Sequence, residues 1–159
     1  MLERLANEII EHAKVGNMTI ATAESCSAGR LAQALAKAEG ASKFYLGGVV
    51  AYTKEMKQRM LGVPPQLIQD GTAVCGPVAE AMAIGVLLRS GATVAVSITG
   101  VAGPDEDEDG NPVGLVYCGI ARNNDAHRHV RLKCRGTPEA IVEEACLEAL
   151  RFLRSFCFS

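Results

Sequence analysis

Met18-Thr19-Ile20-Ala21-Thr22-Ala23-Glu24-Ser25-Cys26-Ser27-Ala28-Gly29 is the stretch on which the fold turns. Met18 to Ala23 is a short apolar, β-branched run and reads as a buried strand. A helix follows from about Ala28 to Ala38 and ends near Gly40. A buried strand that turns sharply into a helix is the opening move of an α/β layer.

The rest of the chain repeats that move. Leu2, Leu5, Ala6, Ile9, Ile10 and Ala13 fall at helical spacing, so Leu2 to Lys14 reads as an amphipathic helix. Phe44 to Tyr52 is a second buried strand, with Gly47 and Gly48 at a bulge or close approach. Lys54 to Leu61 reads as a helix stopped by Gly62, and Pro77 to Ser90 as a helix with Pro in its first turn. Ala92 to Thr99 is a third strand. Gly114 to Arg122 and His127 to Cys134 are two more, joined by Asn123-Asn124-Asp125, short enough for an antiparallel hairpin. Thr137-Pro138-Glu139 opens a final helix. The expected fold class is a single three-layer α/β/α domain over residues 1–159, its sheet mostly parallel with an antiparallel edge hairpin.

Composition narrows the function. The chain has 159 residues, 48% of them hydrophobic, with only 4% aromatic and no Trp, so Ala, Val, Ile and Leu must build the core. The formal net charge of -2 gives no basic footprint for nucleic acid. No apolar run is long enough to cross a bilayer, and the N-terminus does not read as a targeting peptide. The six cysteines include no C-x-x-C pair. Reduced thiols in a cytoplasmic protein are the expectation, with Cys118, Cys134 and Cys146 in the core.

Sites in open α/β sheets form at the carboxyl ends of strands. Three polar or Gly-rich exits fall there: Glu24 to Gly29, Tyr52 to Lys57, and Thr99-Gly100-Val101-Ala102-Gly103-Pro104. Ser25 or Ser27 is either an N-cap or, for Ser25, a nucleophile whose oxyanion the next helix's N–H groups would hold. Lys57 is either a solvated lysine or, if desolvated, a base for that serine. Tyr52 is a strand-end aromatic or an orienter of the lysine. The glycines at 100 and 103 allow backbone to approach a ligand, but neither a Walker nor a dinucleotide fingerprint is present. His127 and His129 share a strand face without a carboxylate or cysteine at ligand spacing, so no metal is expected. The acidic run Asp105 to Asp109 reads as a solvated, mobile loop.

Taken together, Ala23-Glu24-Ser25-Cys26-Ser27-Ala28-Gly29, Gly47-Gly48-Val49-Val50-Ala51-Tyr52 with Lys57 and Leu61-Gly62-Val63, Thr99 to Pro104, and Pro112-Val113-Gly114-Leu115-Val116-Tyr117 closely resemble the CinA C-terminal domain family. The resemblance covers nearly the whole chain and is to the stand-alone form. It implies an amidohydrolase that converts nicotinamide mononucleotide to the nicotinate nucleotide and ammonia, without metal or organic cofactor. Ser25 would be the nucleophile, Lys57 its base, and Tyr52 their neighbour. Cys26, Ser27, Ala28, Gly29, Thr99, Gly100 and Gly103 would bind the small-molecule nucleotide. The family also implies a homo-oligomer. An alternative is a catalytically silent, nucleotide-binding paralog, suggested by departures at Ala28, Cys75, Asn111 and Pro138. Where relatives carry an arginine after Gly136, Arg131 or Arg135 would have to meet the phosphate.

Overall fold

Alternating strands and helices build one sheet covered on both faces in the computed structural model, which describes residues 1–124 and 126–158. The strands are β1 (Ile20–Glu24), β2 (Tyr45–Val50), β3 (Val94–Gly100), β4 (Leu115–Arg122) and β5 (His127–Lys133), in the order β2-β1-β3-β4-β5. β1 runs parallel to β2 and β3, and β4 runs antiparallel to β3 and β5. The helices are α1 (Leu2–Gly16), α2 (Arg30–Ala36), α3 (Lys54–Leu61), α4 (Pro65–Asp70), α5 (Gly76–Ser90) and α6 (Pro138–Cys157).

Side chains alternate across the strands and so divide the core in two. Ile20, Val94, Val96, Ile98, Val116, Cys118 and Ile120 face α1, α2 and α6. Ala21, Ala23, Ala95 and Ala121 face α5, where Met82, Ala83 and Val86 meet them. Small strand residues on that side let the long α5 lie close to the sheet. Each fully buried Ile, Leu or Met contributes roughly 1.5–3 kcal/mol, which is how a core with few aromatics suffices. Cys118, Cys134 and Cys146 are buried free thiols, as expected.

Differences from the sequence reading have local causes. α2 starts at Arg30 rather than Ala28, because Ala28 and Gly29 both have positive φ (47° and 98°) and cannot continue a right-handed helix. α4 was not expected after the Pro64-Pro65 stop. Pro65 sits in its first turn, where a proline lacks nothing the helix needs. The register of β1 on β2 slips between Ile20↔Tyr45 and Ala21↔Gly47, so the bulge expected at Gly47 is there. At Gly48 a Cβ would stand 2.1 Å from Thr22 Oγ1, which is the expected close approach. β4 and β5 pair antiparallel, and the Arg122 N–H donates to the Ala126 carbonyl across the connection, 2.8 Å. Asp125 of that turn lies outside the described residues. No helix among the described residues is long and apolar enough to cross a membrane.

Candidate active site

The parallel strands end in the segments that make the site. β1 delivers Ser25, whose N–H is fixed by the Ile98 carbonyl of β3, 2.9 Å. β2 leads through Ala51 and Tyr52 into α3. Thr53 caps α3 by accepting from the Met56 N–H, 3.1 Å, and one turn later Lys57 points back at the sheet. Lys57 is only 2% exposed and Ser25 5%. The Lys57 Nζ is 2.8 Å from Ser25 Oγ. It also donates to the Ala51 and Tyr52 carbonyls, at 3.2 and 3.1 Å.

That arrangement has a chemical consequence. Burial, assisted by the nearby Lys54 charge, pulls the Lys57 ammonium down to about 8, although the neighbouring Cys26 opposes the shift. A neutral amine has two hydrogens and one lone pair. With both hydrogens directed at the two carbonyls, the lone pair faces the Ser25 hydroxyl and can take its proton. In the charged form the third hydrogen points at Ser25 Oγ instead. Ser25 Oγ is also 3.3 Å from the Tyr52 carbonyl, the longer of its two contacts.

Tyr52 thus takes part through its backbone. Its side chain is 68% exposed at the edge of the cavity. Neither Ser25 nor Ser27 caps α2. The cap is Glu24, the last residue of β1 and 1% exposed. Its carboxylate accepts from the Leu31 N–H at 2.9 Å, the Ala32 N–H at 3.0 Å and the Ser27 hydroxyl at 2.7 Å. This corrects the expectation that the first turn of α2 holds an anion, because an internal carboxylate already occupies its donors. In the turn itself, Cys26 brings a thiol to the cavity lining. Burial pushes that thiol up to about 11, so it stays protonated at neutral pH.

A cavity of about 380 Å³ opens over the pair, a size suited to a small organic ligand. Ser25, Cys26, Thr99, Gly100 and Gly103 line it, but the Thr99 hydroxyl is turned away and donates to the Ala73 carbonyl, 2.7 Å. Ser27 is 4% exposed and bonded to Glu24, whereas Ala28 and Gly29 lie at the outer side of the turn and do not line the cavity.

The acidic run is part of this wall and is organised rather than loose. Asp107 accepts from the Asp109 and Asn111 N–H groups and from Asn111 Nδ2. Asn111 Nδ2 also donates to Thr72 Oγ1. Lys54 reaches across from α3 to Asp109 (2.9 Å) and Glu108 (3.3 Å). All five acidic side chains of 105–109 line the cavity. Arg131 and Arg135 are exposed and are not among its lining residues.

His127 and His129 gain a carboxylate that the sequence did not place with them. Glu80 of α5 accepts from Nδ1 of each, at 2.8 Å, tying β5 to the helix. Among the described residues no group of three or more His, Cys, Asp or Glu is arranged to hold a metal ion.

A three-layer α/β domain with a buried Ser–Lys pair at the carboxyl ends of its parallel strands is the class these features define. The family model for the CinA C-terminal domain matches residues 2–157. The chain belongs to that family. A CinA-like protein of Myxococcus xanthus is 37% identical over 96% of the chain and 36% of its own length. One from Mycobacterium marinum is 46% identical over 85% of the chain and 32% of its own length. The chain thus spans about a third of the curated relatives it matches. Among solved structures, a competence-damaged protein (CinA) superfamily protein of Escherichia coli superposes with a TM-score of 0.94, 33% identity and coverage of 98% of this chain and 90% of that one. A competence/damage inducible protein of Agrobacterium tumefaciens gives 0.91 and 35%, covering 97% and 94%.

Proposed function

We propose that the protein is an amidohydrolase that converts nicotinamide mononucleotide to the nicotinate nucleotide and ammonia. The observation that carries this reading is the 2.8 Å contact between Lys57 Nζ and Ser25 Oγ, two buried residues that both line the cavity. Neutral Lys57 takes the hydroxyl proton as Ser25 Oγ attacks the carboxamide carbon. The N–H groups of Cys26 and Ser27 are the donors the turn offers to the developing oxyanion. Protonated Lys57 returns its proton to the departing nitrogen, which leaves as ammonia. Water then cleaves the acyl-serine, with Lys57 again taking the proton. No step calls for a metal or an organic cofactor.

The test is ammonia release from nicotinamide mononucleotide by the wild type and by Ser25→Ala. Turnover that Ser25→Ala abolishes supports the reading. Equal rates, or no turnover by the wild type, would refute it. A second reading, a binding protein without turnover, is favoured by the acidic wall: Lys54 is the cavity's other cation, and Glu108 and Asp109 already engage it. Calorimetric binding of the nucleotide without ammonia release would select that reading.

A further inference from the structure

Lys54 opens α3, directly after the Thr53 cap, and stands one turn before Lys57. Lys57 turns into the core, whereas Lys54 turns to the loop between β3 and β4. Both lysines line the cavity, and among the described residues no other cationic side chain does. The acidic residues from Asp105 to Asp109 line it with them. Their roles differ. Asp107 accepts from within its own loop, from the Asp109 and Asn111 N–H groups and from Asn111 Nδ2, and so holds the loop's shape. Among the described residues the Asp109 and Glu108 side chains bond only Lys54, at 2.9 and 3.3 Å. Removing those two carboxylates therefore leaves the loop's internal bonds in place.

We propose that Lys54 is a specificity-determining residue of the cavity: it receives the anionic end of a phosphorylated carboxamide, and Asp109 and Glu108 are internal counter-ions that this end must displace. The proposal rests on the reading of the cavity as a nucleotide site. A cavity lined by an excess of one sign repels ligands of that sign. A phosphate that enters here meets carboxylates on the loop side, while Lys57 is directed at Ser25 and two backbone carbonyls. Lys54 is then the one cation with which the phosphate can pair. Its side chain is 33% exposed and its ammonium ends a flexible four-carbon stem, so it can change partner while the backbone of α3 stays in place. The exchange replaces one ion pair by another. The two acids thus lower the affinity for a phosphorylated ligand, and a ligand without the phosphate gains nothing from their removal.

Calorimetry with nicotinamide mononucleotide and with its dephosphorylated nucleoside tests this, on protein carrying Ser25→Ala so that no hydrolysis intervenes. Adding Glu108→Gln and Asp109→Asn together should tighten nucleotide binding about threefold or more, the scale of a partly exposed ion pair, and should not tighten nucleoside binding. Lys54→Met should weaken nucleotide binding by a similar factor without weakening the nucleoside, and Lys54→Arg should keep the original preference. A merely structural role would move both ligands alike. Equal nucleotide affinity with and without the two carboxylates, a Lys54→Met that weakens both ligands equally, or no nucleotide binding even to the double variant would overturn the proposal. Failure of the hydrolase reading shows separately, as this same binding pattern in a protein whose wild type releases no ammonia.

Discussion

The Lys57 amine stands 2.8 Å from the Ser25 hydroxyl, with its other two bonds directed at the carbonyls of Ala51 and Tyr52. The two carbonyls fix where the lone pair points once the amine is neutral. Lys57→Met keeps the length of the stem and removes the base. It should lower the rate of amide hydrolysis by about 10²–10⁴, the usual contribution of a positioned acid–base group. Lys57→Arg should not restore activity, because a guanidinium stays protonated.

The same lysine makes stability depend on pH. Its folded-state pKa, about 8, lies below the ordinary 10.5, so between those values the unfolded chain binds more protons than the folded one. Wild-type stability relative to Lys57→Met should therefore rise with pH through that window and level off above it. Denaturant unfolding of both proteins at a series of pH values measures the difference. A difference that falls with pH would contradict the burial of a cationic side chain here.

Glu24 holds the turn on which Ser25 sits. Glu24→Ala leaves the Leu31 and Ala32 N–H groups and the Ser27 hydroxyl without their acceptor. The expected cost is about 2–3 kcal/mol, seen as a lower midpoint in thermal or denaturant unfolding. Activity should fall as well, because the segment from Ser25 to Gly29 loses its anchor.

Ala28 holds a left-handed backbone, φ 47°, on an exposed position. Ala28→Gly relieves the strain of the Cβ while adding freedom to the unfolded chain. The net gain should be about 0.5–1 kcal/mol. Unfolding midpoints check it, and a loss of stability would show that the Ala28 methyl packs usefully.

Much of this was legible in the sequence, and what was not has physical reasons. The strands were readable because buried β-branched runs end at Gly, Asn or polar exits. Ser25 and Lys57 were readable as candidates because both lie just past the carboxyl ends of neighbouring parallel strands, although thirty-two positions separate them. Glu24 was not: a carboxylate at a strand end gives no sign that it will reach two turns onward to cap a helix. The role of Tyr52 was hidden because its carbonyl, not its hydroxyl, meets the lysine. The order in the acidic loop was hidden because Lys54 and Thr72, which tie it down, are distant in the chain. Glu80 is likewise far from the two histidines it joins.

The pH dependence of kcat/KM for amide hydrolysis by the wild type tests the central claim most directly, because it reports the protonation of the free enzyme's base. With Lys57 as that base, the rate should rise with pH through a single midpoint of about 8 and then hold a plateau. Hydrolysis that stays level across that midpoint, or declines through it, would contradict a neutral Lys57 drawing the proton from Ser25.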